Sequence, residues 1–180
     1  PLSGFPQGAQ PIISYNYGAN NAYRVKKAFR LLLISCLTYS AILWLLAMVV
    51  PNMFAAIFTS DPALTEITVW ALRIYMGGCL LFGAQIACQQ TFIALGNAKT
   101  SAFLAMFRKI IVLIPLIYIL PMFIEDKVMA VFLAEPIADI LAVLTTVTMF
   151  VLFFKKLLRN MDEEHVEEAK QQTQLEEKEA

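Results

Sequence analysis

Four apolar stretches, each long enough to cross a lipid bilayer, constrain the fold of this chain more than any other feature of its sequence. A hydrocarbon core about 30 Å thick requires roughly 20 mostly apolar residues in a helix. Backbone groups cannot stay unpaired in lipid, so these stretches must be helical. The sequence predicts spans at about 30–58, 64–95, 101–123 and 128–154. The predicted fold class is therefore all-α, a polytopic bundle of transmembrane helices.

Charge is concentrated at one end of the chain. Hydrophobic residues make up 59% of the 180 residues and charged residues 16%, compared with about 25% charged in soluble domains. Eight of the fourteen acidic residues follow residue 160. We expect residues 160–180 to form a charged cytoplasmic tail, either disordered or a solvated polar helix. Residues 20–159 hold the spans and their short loops, and we expect the lipid bilayer to surround them. No nucleic-acid partner is expected.

The first nineteen residues contain three prolines and three glycines among apolar residues. We interpret residues 1–19 as the end of a truncated, kinked membrane helix, and a re-entrant or interfacial segment is the alternative. The chain opens with proline inside a patterned segment, so we expect it to be a fragment of a longer protein.

The distribution of lysine and arginine predicts the orientation of the spans, because cytoplasmic links are enriched in these residues. The links at 20–30, 51–66, 96–109 and 121–128, and residues 155–159 after the last span, carry four, zero, three, one and three basic residues. We therefore expect links 20–30 and 96–109 and the C-terminus to be cytoplasmic.

Three ionisable residues lie well inside the predicted spans, where a charge is costly unless it is paired. Arg73 and Glu135 lie at similar depths, roughly 9 Å along the helix from Ile67 and roughly 10 Å from Val128, and could form a structural ion pair. Asp139 lies on the same helix face as Glu135, near mid-membrane, and no cationic partner is expected for it. Asp139 and Glu135 are therefore candidates for binding a proton or a sodium ion, and hydrogen bonding to neighbouring helices is the structural alternative.

Uncharged residues of the second span give a second set of candidates. Gln85 and Gln89 are four residues apart and could line a polar cavity, with Met76 as part of an adaptable apolar wall. Interhelix hydrogen bonding is the alternative role of the two glutamines. The sequence contains no hydrolase triad, phosphate-binding loop or metal-ligand spacing, so we predict neither an enzyme nor a resident metal or cofactor.

Five segments agree in order and spacing with one family of transporters. Residues 7–30, QGAQPIISYNYGANNAYRVKKAFR, resemble a signature of the multidrug and toxic compound extrusion (MATE) family. The later segments are FAAIFTSDPAL at 54–64, WALRIY at 70–75, QQTFIALGNAKTSAF at 89–103 and EPIADIL at 135–141. The resemblance covers about residues 4–157, nearly everything except the tail.

The resemblance implies the end of helix eight and all of helices nine to twelve of a twelve-helix transporter, without its N-terminal lobe. It implies a multi-pass secondary antiporter of the bacterial cytoplasmic membrane, which exchanges H⁺ or Na⁺ for organic, often cationic, compounds. Asp139 and Glu135 would then be candidates for binding the coupling ion. The alternatives are a lipid-linked precursor flippase of the same superfamily and a membrane scaffold fragment that does not transport.

Overall fold

The structure, a computed structural model, describes residues 4–57 and 59–179, and every element in that part of the chain is a helix. The α-helices are α1 (Gly4–Gly18), α2 (Ala22–Val49), α3 (Pro51–Ala56), α4 (Pro62–Tyr75), α5 (Cys79–Ala94), α6 (Ala98–Met106), α7 (Ile114–Phe123) and α8 (Lys127–Glu179). A 3₁₀ turn at Met76–Gly78 joins α4 to α5, and a π-helix at Phe107–Leu113 joins α6 to α7.

Four helical stretches are long and apolar enough to cross a membrane, namely Ala22–Val49, Pro62–Ala94, Ala98–Phe123 and Lys127–Glu164. Large aliphatic side chains remain exposed on the outer faces of these helices, as at Val49 (68% exposed) and Leu152 (67%). Such extensive exposed apolar surface fits a lipid environment rather than water. The prediction of an all-α bundle with four spans is confirmed, and the protein is a multi-pass membrane protein.

The helices begin earlier than hydropathy alone predicted. The first span begins at Ala22 instead of about residue 30, because the side chain of Asn21 accepts a hydrogen bond from the backbone N–H of Arg24 at 2.9 Å and caps the helix. The third span begins at Ala98 instead of about residue 101. A hydropathy average misses these polar first turns. At the other end of the chain, α8 continues without a break through the charged segment to Glu179.

Helix α5 lies at the centre of the bundle and packs against α1, α2 and α8. Gly83 allows α2 to come close: a Cβ atom at this position would lie 2.5 Å from the backbone oxygen of Cys36 and 2.6 Å from Oγ of Ser40. Only glycine fits at this crossing without displacing a helix backbone. The hydroxyl of Ser14 in α1 donates a hydrogen bond to the carbonyl of Ala94, which ties α1 to the end of α5 at 2.7 Å.

Helix α8 has two kinds of packing face, one in its first half and one further along. In its first half, alanines at four-residue intervals are almost completely buried: Ala130, Ala134, Ala138 and Ala142. Small side chains at this spacing let neighbouring membrane helices approach closely, and α8 packs here against α4, α7 and the π-helix. Further along, Phe150 packs between Phe29 of α2 and Phe92 of α5, with ring centroids 4.7 and 5.2 Å away. These rings form the centre of the buried core.

Candidate functional site

One arginine lies between two carboxylates inside the third and fourth spans. Nε of Arg108 donates to Oδ1 of Asp139 at 2.6 Å, and its Nη2 donates to Oε1 of Glu135 at 3.0 Å. The same Nη2 also contacts Oδ1 of Asp139. The side chains of Arg108, Glu135 and Asp139 are only 15%, 14% and 9% exposed. We call these three residues the charge cluster.

The charge cluster borders a cavity of about 310 Å³. The cavity is lined by Tyr75, Met76, Cys79, Phe82, Arg108, Lys109, Glu135 and Asp139. The guanidinium carbon of Arg108 lies 4.9 Å from the centroid of the Phe82 ring, a cation–π contact. The cavity therefore combines aromatic and sulfur-containing walls with charged groups.

Irregular backbone from three spans converges on this cluster. The second span changes to a 3₁₀ turn at Met76–Gly78, and the third is a π-helix over Phe107–Leu113. In the π-helix the N–H of Ile114 bonds to the carbonyl of Lys109, five residues back. Pro115 and, in α8, Pro136 each lack the N–H that would continue the α-helical pattern. In a membrane such backbone is tolerated where it lies within protein or lines a cavity.

Two glycines allow the 3₁₀ turn to approach α8. A Cβ atom on Gly78 would lie 2.8 Å from Cβ of Asp139, and one on Gly77 would lie 3.7 Å from Cβ of Pro136. The first of these distances is too short for any side chain. Gly78 is therefore the residue that permits Asp139 to sit against the second span.

The two carboxylates of the cluster share one buried cation. Lys109 is the fourth charged group: its Nζ lies 3.8 Å from Oε1 of Glu135, and its side chain is 59% exposed. Arg108 holds both carboxylates at hydrogen-bond distance. A monovalent cation in the cavity would compete with this one guanidinium for either carboxylate, so the arrangement is suited chemically to reversible cation binding.

The predicted ion pair between Arg73 and Glu135 is wrong. Glu135 pairs with Arg108 and Lys109, and Arg73 is exposed on α4. Arg73 precedes the cavity residue Tyr75 by two positions, which places it about 200° away around the helix. A similar predicted depth does not fix the direction of a side chain around its helix.

The expectation that Asp139 has no cationic partner is also wrong. Arg108 was assigned to the cytoplasmic link at 96–109, but the third span begins at Ala98, so Arg108 lies about 15 Å along that helix. Only Lys99 then remains as a basic residue at that end of the span. The signal that could have identified Arg108 is Asn97, a favourable capping residue that lies eleven positions before this arginine.

The three candidates for a substrate cavity are not placed together. Met76 lines the cavity beside the charge cluster. Gln85 is only 2% exposed and lies within the packed bundle, so the structure places it in helix packing instead of the wall of this cavity. Gln89, one turn further along α5, is half-buried.

Known transporters share this fold. The family model described as MatE matches residues 1–119. Over 119 residues the chain is 22% identical to the multidrug export protein MepA of Staphylococcus haemolyticus (strain JCSC1435), a match that covers 66% of this chain and 26% of MepA. It is 34% identical to the solved MATE multidrug transporter DinF-BH, with a TM-score of 0.76 over 84% of this chain and 33% of DinF-BH.

The fold also matches the inward-facing conformation of a multidrug resistance MATE family transporter of the MOP superfamily, with a TM-score of 0.81 and 17% identity, over 88% of this chain and 37% of that transporter. The chain thus spans between a quarter and two fifths of the length of these relatives. Its matched part includes α1, α2 and the whole second span, together with the turn and the π-helix that build the cavity. The family resemblance predicted from the sequence is confirmed, and the chain belongs to the MatE family.

Proposed function

We propose that this chain is part of a multidrug efflux antiporter, which exchanges H⁺ or Na⁺ for organic, often cationic, compounds. The observation that carries the proposal is the buried charge cluster, which borders a cavity inside the spans and in which two carboxylates share one guanidinium. The family supports it, since the relatives are described as multidrug exporters and multidrug transporters. A membrane transporter of this family has no need of a catalytic group or a resident cofactor.

Asp139 and Glu135 are the proposed coupling residues, and Arg108 is the group that a bound cation must displace. Each carboxylate is held by the same guanidinium, so a proton or sodium ion on one of them weakens its bond to Arg108. The irregular backbone of the 3₁₀ turn and the π-helix can respond to that loss without breaking regular helical hydrogen bonds. Tyr75, Met76 and Phe82 line the same cavity and would contact the apolar part of an organic cation.

The proposed location is the bacterial cytoplasmic membrane, with the C-terminus in the cytoplasm. With Arg108 and Lys109 inside the third span, the predicted cytoplasmic ends carry four, one and three basic residues, and the outer links carry zero and one. This distribution still favours the same orientation. The rest of the antiporter, an N-terminal lobe, would pair with these helices to enclose the transport path.

The proposal is tested by dye efflux in the full-length transporter. Cells that express Asp139→Asn or Glu135→Gln should retain a fluorescent cationic dye that wild-type cells expel, with ion-driven efflux reduced at least tenfold. Glu125→Gln is the matched control, since Glu125 is an exposed carboxylate in the link before α8 and its loss should leave efflux unchanged.

Two further measurements separate coupling from folding. Both cluster variants should be inserted in the membrane at wild-type amounts and should still bind the dye when no ion gradient is present. Ion-driven efflux at the wild-type rate in Asp139→Asn would rule out Asp139 as a coupling residue. If wild-type cells themselves expelled no dye, the antiporter assignment would be overturned in favour of a flippase or scaffold.

A further inference from the structure

A long apolar groove lies on the opposite part of the bundle from the charge cluster. It runs between α2 and α8, with α5 as its floor, and has a volume of about 520 Å³. Its walls are the side chains of Phe29, Leu33, Leu37, Ala84, Cys88, Val147, Phe150, Val151, Phe154 and Leu158, with Lys26, Arg30 and Lys155 at one end. No polar group interrupts the remaining wall among the described lining residues. A slot of this kind fits a hydrocarbon chain and offers no partner to a polar solute.

A second cavity of about 460 Å³, which has charged residues in its lining, lies beside the basic end of the groove. The two cavities share Lys26, Lys155 and Leu158, so they are adjacent. Arg159 adds a third cation to this mouth of the groove, and Asp162 is the one acid that lines it. Arg159 also approaches Glu163 of its own helix at 3.7 Å, in an exposed pair that leaves its charge largely available. The mouth is therefore net positive.

The position of this mouth coincides with the ends of two spans. Lys26 lies in the first turns of α2, and Lys155 directly follows the apolar part of α8. From Lys26 the groove descends to Leu37, about 16 Å along α2. The charged end is therefore at the level of the lipid headgroups, and the apolar end is within the hydrocarbon region.

We propose that the α2–α8 groove is a binding site for one anionic phospholipid, with its phosphate between Lys26 and Lys155 and an acyl chain against Val147 and Val151. A basic mouth above an apolar slot matches the two parts of such a lipid, and basic pockets between membrane helices are suited to anionic headgroups. A zwitterionic lipid would place its own ammonium among the cations and gain less. A free phosphate would fill the mouth only.

The site can be tested by fluorescence quenching in the full-length protein. Val151→Trp places an indole at the exposed edge of the groove, and the signal of Trp44 and Trp70 is subtracted with the parent protein. The protein is reconstituted in mixtures of phosphatidylcholine and phosphatidylglycerol in which one of the two carries brominated acyl chains. Brominated phosphatidylglycerol should quench the indole well beyond its share of the bilayer.

A pair of double variants then tests the cationic mouth. Lys26→Gln/Lys155→Gln should lower the preference for phosphatidylglycerol roughly tenfold or more. Lys27→Gln/Lys156→Gln is the matched control, because both lysines are exposed neighbours that line neither cavity, and it should keep the preference.

Three results would overturn the proposal. Equal quenching by the two lipids would mean that the groove takes ordinary bilayer lipid without selection. An equal loss in both double variants would attribute the preference to the general positive surface. An indole that neither lipid quenches would mean that another part of the protein, or a second copy, covers the groove.

Discussion

Helix α8 passes through two regions that are constructed in opposite ways. Around the charge cluster, the buried side chains are ionisable and the neighbouring helices change to 3₁₀ and π geometry. About 16 Å further along α8, the aromatic core of Phe29, Phe92, Phe150 and Phe154 is apolar and built on regular α-helices. A few hydrogen-bonded ion pairs hold the first region together, and close-packed aromatic rings hold the second.

The difference indicates which part of the bundle can respond to a ligand. Directed bonds to a single guanidinium change together when one carboxylate is neutralised, and a π-helix or 3₁₀ turn lies close in energy to the regular helix that it can become. Close-packed rings have no such alternative, because displacement of one leaves a void. We therefore expect ligand-dependent movement near Arg108 and a rigid support around Phe150.

Removal of the guanidinium should have the largest effect on stability. Arg108→Gln leaves two carboxylates in a largely buried site, and loss of one partner of a buried ion pair costs about 3–5 kcal/mol. Denaturant titration of the purified full-length protein measures this cost. Arg73→Gln, which removes an exposed arginine from α4, should change the unfolding free energy by less than about 0.5 kcal/mol.

Neutral partners should restore much of that loss. The triple variant Arg108→Gln/Glu135→Gln/Asp139→Asn has no buried charge, so its stability should recover by at least half while transport stays absent. If the single and triple variants were equally unstable, the cluster would stabilise the protein through the packing of its side chains and not through their charges. The cluster and the aromatic core would then be stabilised in the same way.

Truncation of the aromatic core should have the next largest effect, and it should affect stability alone. Phe150 is 1% exposed and contacts three other rings. Phe150→Ala should cost about 3 kcal/mol, at the lower end of the range for water-soluble cores, because lipid replaces part of the transfer contribution. Phe103→Ala is the control, since Phe103 is 52% exposed. A coupling defect in Phe150→Ala at temperatures where it stays folded would contradict a purely supporting role.

The spans could be predicted from the sequence because the bilayer imposes both their length and their helical form. Four apolar stretches were sufficient for the fold class, and the ordered segments from Gln7 to Leu141 were sufficient for the family. Glu135, Asp139 and Met76 were chosen from depth and residue type, and the structure places all three on one cavity.

The partner of the carboxylates could not be predicted by the same means. Hydropathy reads Arg108 as the edge of a polar link, and the π-helix that carries it depends on Pro115 and on contact with α8, which no local pattern encodes. For Arg73 and Gln85, the sequence likewise did not predict which way the side chain points around its helix. Contacts between helices that are distant in sequence decide which side chains pair inside a bundle. A single sequence indicates only how deep each side chain lies along its span.

Glycine substitutions provide the finest test of the two regions, because one small change can be made in each. Gly83→Ala places a methyl group 2.5 Å from the backbone oxygen of Cys36, so α2 must move, and such overpacking costs about 1–3 kcal/mol. Gly77→Ala meets only Cβ of Pro136 at an ordinary 3.7 Å and should change the free energy of unfolding by less than about 0.5 kcal/mol.

Gly78→Ala would place its methyl group 2.8 Å from Cβ of Asp139. It should cost less stability than Gly83→Ala, because a 3₁₀ turn can adjust more easily than a helix crossing. It should nevertheless reduce ion-driven dye efflux more than Gly83→Ala does. Equal effects of the Gly78 and Gly83 variants on both stability and efflux would show that the two regions respond as one rigid unit.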